Sequence, residues 1–62
     1  MNDHDKITVA GIRAGLQKKL YSLDHAMNDN HYLVALGIMR DIEKDMGKLI
    51  EFVTTEIEVK RE

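Results

Sequence analysis

The chain has 62 residues, enough for one small domain and too few for two. It contains no cysteine, which excludes both a disulfide and a thiolate metal site. Nine basic and eleven acidic residues give a formal net charge of −2, which disfavours a general binder of nucleic acid or of anionic membranes.

So small a domain buries only about 60% of the surface of its unfolded chain, which makes a monomer marginally stable. Self-association is the expected remedy where disulfides are absent. The sequence begins with polar and acidic residues rather than with a signal peptide, and no apolar run approaches the roughly 18 residues of a membrane span. Together with the absence of cysteine, these features predict a soluble, cytoplasmic protein.

The first helix is predicted from about residue 7 to residue 27, after a flexible tail at residues 1–5. Its apolar residues recur at steps of three and four, which is the period of a helix. They are Val9, Ile12, Leu16, Leu20, Leu23 and Met27. The start of this helix is open between two alternatives. The segment Lys6-Ile7-Thr8-Val9 alternates and is β-branched, as a short N-terminal strand would be, or Thr8 caps a helix that begins at Val9.

A polar break, Asn28-Asp29-Asn30-His31, separates the first helix from the second, which is predicted at about residues 32–58. Its apolar stripe contains Ala35, Ile38, Met39, Ile42, Met46, Leu49, Ile50, Val53 and Ile57. Residues 53–60 also alternate as a strand would, but they continue the stripe, so we favour a helix there. A short connection makes the two helices antiparallel neighbours.

The predicted fold is therefore all-α, a single domain over residues 1–62. It is a two-helix antiparallel hairpin that self-associates as a four-helix bundle, most simply a homodimer. The residues assigned to self-association lie on both stripes: Ile12, Leu16, Leu20, Leu23, Ile38, Ile42 and Leu49.

The sequence offers no constellation for catalysis or for metal binding, so we predict neither enzymatic activity nor a cofactor. His25 and His31 flank the turn beside acidic residues, but they lack the spacing of a zinc motif. The glycines Gly11 and Gly15 lack the Gly-Lys-Ser/Thr ending of a phosphate loop.

Basic residues are candidates for contacts with phosphate, because they form ridges on both helices. They are Arg13, Lys18, Lys19, Arg40, Lys44 and Lys48. Acidic residues surround the ridge of the second helix and weaken its field, so a solvated face of mixed charges is the favoured interpretation.

Two resemblances bear on the nucleic-acid alternative. The length, the acidic balance and the two long helices resemble the plasmid repressor-of-primer type of hairpin, which implies a four-helix dimer that binds RNA loops. The order of Lys6-Ile7-Thr8-Val9 and two helices resembles the ribbon-helix-helix repressors. That second resemblance implies a strand that pairs with its symmetry mate and binds DNA.

The favoured hypothesis is a small non-enzymatic protein-interaction module, an inhibitor or regulator that docks a helical face on a partner protein. Methionines on the second helix would let that face adapt to its partner. The residues assigned to the partner are Met39, Arg40, Glu43, Met46, Ile50 and Val53. A nucleic-acid-binding regulator is the first alternative. An oligomeric sponge for small anionic ligands, held between subunits near the glycines of the first helix, is the second.

Overall fold

The computed structural model describes residues 1–60, apart from the side chain of Lys60. These residues form two α-helices, α1 (Asp3–Asn28) and α2 (Tyr32–Lys60), which pack against each other as a hairpin. No described residue is in a strand. The predicted helical hairpin is therefore confirmed, including the helix over residues 53–60.

The start of α1 lies earlier than the sequence pattern indicated. Asn2 is the N-cap, and its side-chain oxygen accepts a hydrogen bond of 2.8 Å from the backbone N–H of Asp5. Asp3 and Asp5 lie in the first turn, where negative charge complements the helix dipole. These interactions recruit part of the expected tail into the helix.

Both alternatives for residues 6–9 are wrong, because α1 begins at Asp3. The segment is helical, so it is not the N-terminal strand that its alternation allowed. Thr8 is not a cap either, since its hydroxyl donates to the carbonyl oxygen of His4 at 3.1 Å. This bond back to the preceding turn is typical of threonine inside a helix.

The connection between the helices is held by backbone hydrogen bonds that terminate α1. Asn30 adopts a left-handed conformation with φ of 60°, and its N–H donates to the carbonyl of Met27 at 3.2 Å. The N–H of His31 donates to the carbonyl of Ala26 at 2.8 Å. These two bonds form a Schellman motif, in which asparagine takes the place usually held by glycine. The hydroxyl of Tyr32 donates to the Asn30 side chain at 2.8 Å.

The junction between the helices consists of residues spaced alternately by three and four, the spacing of a coiled coil. We call these residues the seam. They are Asp5, Val9, Ile12, Leu16, Lys19, Leu23 and Ala26 on α1, and Ala35, Ile38, Ile42, Asp45, Leu49, Phe52 and Glu56 on α2. All are buried or half-buried. Among the described residues only Leu16, Ala26 and Ala35 are buried, so the core is thin.

The hairpin is a single layer of two helices, and its extents of 48 × 18 × 12 Å make it about one helix thick. A layer of this kind has two broad faces, and neither is covered by another part of the described chain. The residues bordering the seam therefore decide which surfaces are open to a partner.

Candidate interaction surface

One broad face of the hairpin is lined by a second stripe of α2. We call it the outer stripe. Its members are Leu36, Met39, Glu43, Met46, Ile50, Val53 and Ile57. They also follow one another at alternating steps of three and four, and each lies one residue after a member of the seam. The six apolar members are between 37% and 59% exposed.

The outer stripe is exposed because the apolar arc of α2 is wider than α1 can cover. One residue along a helix is a rotation of about 100°, so the outer stripe points away from the seam by that angle. The stripe predicted from the sequence is divided accordingly. Ile38, Ile42 and Leu49 lie in the seam, whereas Met46 and Ile50 lie on the outer stripe.

Two apolar residues of α1 extend the same face near the turn. Leu20 and Met27 are 51% and 44% exposed, and each follows a seam residue by one position. In an antiparallel pair of helices, the rows that follow the seam in this way border the same side of the pair. Arg13 occupies the corresponding position farther from the turn, so there the face is basic on α1 and apolar on α2.

A shallow groove of about 330 Å³ lies in the C-terminal half of the outer stripe. It is lined by Met46, Leu49, Ile50, Val53 and Thr54. Its walls are almost entirely hydrocarbon, which suits an apolar side chain inserted from another polypeptide.

The seam contains one ion pair that joins the two helices at mid-length. The ammonium of Lys19 lies 2.6 Å from Oδ2 of Asp45, and the side chains are 36% and 15% exposed. The hydrogen bond with Asp45 raises the pKa of Lys19 above its ordinary value of 10.5, and the nearby charge of Asp41 adds to this effect. Partial desolvation acts in the opposite direction. The pair puts complementary polar groups at corresponding seam positions and so favours one register of the hairpin.

A second cavity, of about 250 Å³, lies at the open end of the hairpin and is lined partly by Asp5, Glu51 and Glu56. One of its carboxylates is already engaged, since the N-terminal ammonium of Met1 donates to Glu56 at 2.6 Å. Within residues 1–60, no three histidine, cysteine or acidic side chains are grouped so as to hold a metal ion. In the same part of the chain, neither helix combines the length and apolarity needed to cross a bilayer.

The structure brings the residues assigned to a partner onto one side of α2. Met39, Glu43, Met46, Ile50 and Val53 are members of the outer stripe, and Arg40 borders it. The sequence reasoning left Leu36 and Ile57 out of this set. The unbroken alternation of steps from residue 36 to residue 57 is the signal that includes them.

The residues assigned to self-association are mostly occupied within the hairpin itself. Leu20 is exposed. The other six lie in the seam, where they pack between α1 and α2: Ile12, Leu16, Leu23, Ile38, Ile42 and Leu49. Of the seven assigned residues, only Leu20 is therefore open to a second chain.

The candidate phosphate contacts do not converge on one site. Lys19 lies in the seam and is paired with Asp45, so its charge is already compensated. Arg13 and Lys18 are exposed on α1, and Arg40, Lys44 and Lys48 form an exposed ridge on α2.

Comparison of the chain with protein-family models, with curated proteins and with solved structures finds no match.

Proposed function

We propose that this chain is a small non-enzymatic interaction module, a regulator or inhibitor that docks the outer stripe of α2 on a partner protein. The observation that carries the proposal is the stripe itself, six apolar side chains in one row on a folded hairpin. Burial of apolar surface contributes roughly 25 cal/mol per Å², so covering such a row is strongly favourable.

The chemistry of the stripe indicates the kind of partner surface that would fit it. A straight row with coiled-coil spacing suits an apolar groove or another helix, as in recognition of amphipathic helices. Met39 and Met46 are unbranched and polarisable, so they adapt to an irregular surface. Six apolar side chains and one carboxylate suit docking rather than a chemical reaction.

Self-association belongs to the same proposal. A four-helix bundle forms when two hairpins place apolar faces against each other. Such a bundle requires apolar residues outside the seam. The outer stripe of α2 provides them, together with Leu20 and Met27 of α1.

The test of the docking proposal is affinity capture from the native host with a Met46→Glu variant and a matched Lys48→Glu variant. Both substitutions add a carboxylate, but Lys48 lies on the side of α2 opposite the outer stripe. A true partner protein binds the purified wild-type chain and the Lys48→Glu variant directly, and it does not bind the Met46→Glu variant. A chain that captures no protein, or captures the same proteins with both variants, contradicts the proposal.

Binding of nucleic acid is the second candidate, and the exposed ridge of Arg40, Lys44 and Lys48 is the observation that favours it. Contacts with phosphate release counterions, so binding would fall steeply as salt rises. A mobility-shift titration with RNA and DNA at low salt tests this function. Absence of retention, or retention that the triple substitution to glutamine leaves unchanged, rejects it.

A further inference from the structure

We infer that a second copy of this chain covers the outer stripe, with its own α2 lying antiparallel across a two-fold axis at Gly47. The inference rests on the proposed docking role of that stripe and names its first occupant. It also determines how the site is regulated, because a partner protein would have to displace the second copy.

The exposed area of the hairpin is the first argument. The chain exposes 5158 Å² of accessible surface. A compact monomer of 7.1 kDa exposes only about 4,100 Å², so the hairpin leaves about 1,000 Å² more than its mass warrants. If each of two copies buries that excess, the interface totals about 2,000 Å², which is the size of a stable homodimer interface.

The charges bordering the outer stripe favour the antiparallel direction. Arg40 and Lys44 border its N-terminal half, which also contains Glu43 of the stripe itself, so these three charges sum to +1. Glu51 and Glu58 border its C-terminal half and sum to −2. An antiparallel copy places the basic half of one α2 beside the acidic half of the other, twice by symmetry. A parallel copy would place like charges together, which costs free energy.

Gly47 lies at mid-length of this arrangement, one residue after Met46 and on the border of the outer stripe that points away from α1. The space around it is empty, as it is around Gly11, Gly15 and Gly37, since a Cβ built at any of these positions would have no neighbour within 4 Å. Gly47 differs from the other three in lying beside the middle of the outer stripe. Packing within the hairpin therefore gives no reason for a glycine there, although glycine costs roughly 1 kcal/mol relative to alanine inside a helix. Close approach of a second helix at the two-fold axis would account for it.

Sedimentation of the purified chain over a range of concentrations tests whether the dimer exists. We expect the wild type and Lys48→Glu to dimerise, and we expect Met46→Glu to raise the dissociation constant by about 100-fold because it buries a charge. A folded wild-type monomer at about 100 μM overturns the inference, since an interface of this size should associate well below that concentration. A dimer indifferent to Met46→Glu overturns it too.

The orientation is tested with single cysteines, because the chain has none of its own. Arg40, Gly47 and Thr54 are spaced seven apart along one edge of the outer stripe. Under mild oxidation, we expect Arg40→Cys to cross-link with Thr54→Cys in a mixture, because an antiparallel axis at Gly47 brings these two positions together. We expect Arg40→Cys alone not to cross-link, because its two copies would be about 21 Å apart along the axis.

The control is Lys48→Cys, which lies on the opposite side of α2 and should not cross-link. Self-cross-linking of Arg40→Cys and of Thr54→Cys, without cross-linking between them, would indicate a parallel dimer and overturn the inference. These exposed substitutions do not disturb the seam, so they remain informative if Met46→Glu unfolds.

The dimer and the docking proposal can fail separately. A monomer that still loses its host partner on Met46→Glu substitution rejects the dimer and retains docking. A dimer with the expected cross-links and no host partner retains the inference about self-association and rejects docking on another protein.

Discussion

The seam and the outer stripe of α2 have the same spacing and lie one residue apart, yet only the seam is covered by α1. The outer stripe is the more apolar of the two, with Glu43 as its one charged member. The seam on α2 contains two acidic residues, Asp45 and Glu56. Apolar content alone would therefore have selected the wrong stripe for burial inside the hairpin.

The burial of a stripe on α2 therefore depends on α1 as well as on the apolar content of α2. The narrow row of α1 includes Lys19, which finds its complement in Asp45 only if the seam faces inward. With the outer stripe facing inward instead, Lys19 would lose this partner and Asp45 would be exposed alone. The more apolar stripe is left uncovered by the described residues of the chain.

The largest difference between the two stripes is expected in stability, when the same carboxylate is introduced into the seam or into the outer stripe. Leu16→Asp places a carboxylate at a buried seam position, at a cost of more than about 3 kcal/mol, which a domain this small cannot absorb. Ile42→Asp should act in the same way. Met46→Asp, on the outer stripe, should weaken self-association about 100-fold, as Met46→Glu should, but retain part of the helical signal. Far-UV circular dichroism measures the difference, and equal loss of helix in all three variants would contradict it.

A smaller effect in the opposite direction is expected from removing the one charge of the outer stripe. Glu43→Leu completes the apolar row and should tighten self-association about tenfold, because burying a leucine is worth about 1.5–3 kcal/mol in full. Lys48→Leu is the matched control, since it adds the same side chain on the opposite side of α2. Unchanged sedimentation of Glu43→Leu would place the interface elsewhere.

The glycines provide a third comparison, between a position away from the outer stripe and one beside it. Gly11 has open space for a Cβ, so Gly11→Ala should stabilise the fold by about 0.4–1 kcal/mol, a rise in Tm of several degrees. Gly47→Ala should gain the same helix propensity but lose close approach at the dimer axis. Thermal denaturation at two concentrations distinguishes the two variants, and an equal gain in both would argue against the axis at Gly47.

The smallest expected effect concerns the Lys19–Asp45 pair. Because the pKa of Lys19 is raised in the folded state, its contribution to stability is present below its ordinary value of 10.5 and is lost as pH rises through the folded value. The unfolding free energy of the wild type should therefore fall more steeply in that alkaline range than that of a Lys19→Met, Asp45→Leu double variant. Parallel pH profiles of the two proteins would show that the pair is not formed in solution.

Much of the fold could be predicted from periodicity, because steps of three and four identify a helix whatever it packs against. The two helices and the polar turn between them follow from that signal. The start of α1 could not be placed by the same rule, because Asn2 and Asp5 act through a hydrogen bond at a polar helix end rather than through an apolar repeat. Helix ends are decided by such local bonds.

Sequence periodicity could place the residues of the candidate surface on the apolar side of α2. It could not show that they lie apart from the seam. The sequence by itself determined that α2 has an apolar arc too wide for one neighbour, and it placed Met46 and Ile50 on that arc. Which edge of the arc faces α1 follows only from the packing of the two helices, because residues distant in the chain, such as Lys19 and Asp45, meet across the seam. The repeat of apolar residues shows on which side of one helix they lie. The position of the neighbouring helix depends on the packing and charge of both helices together.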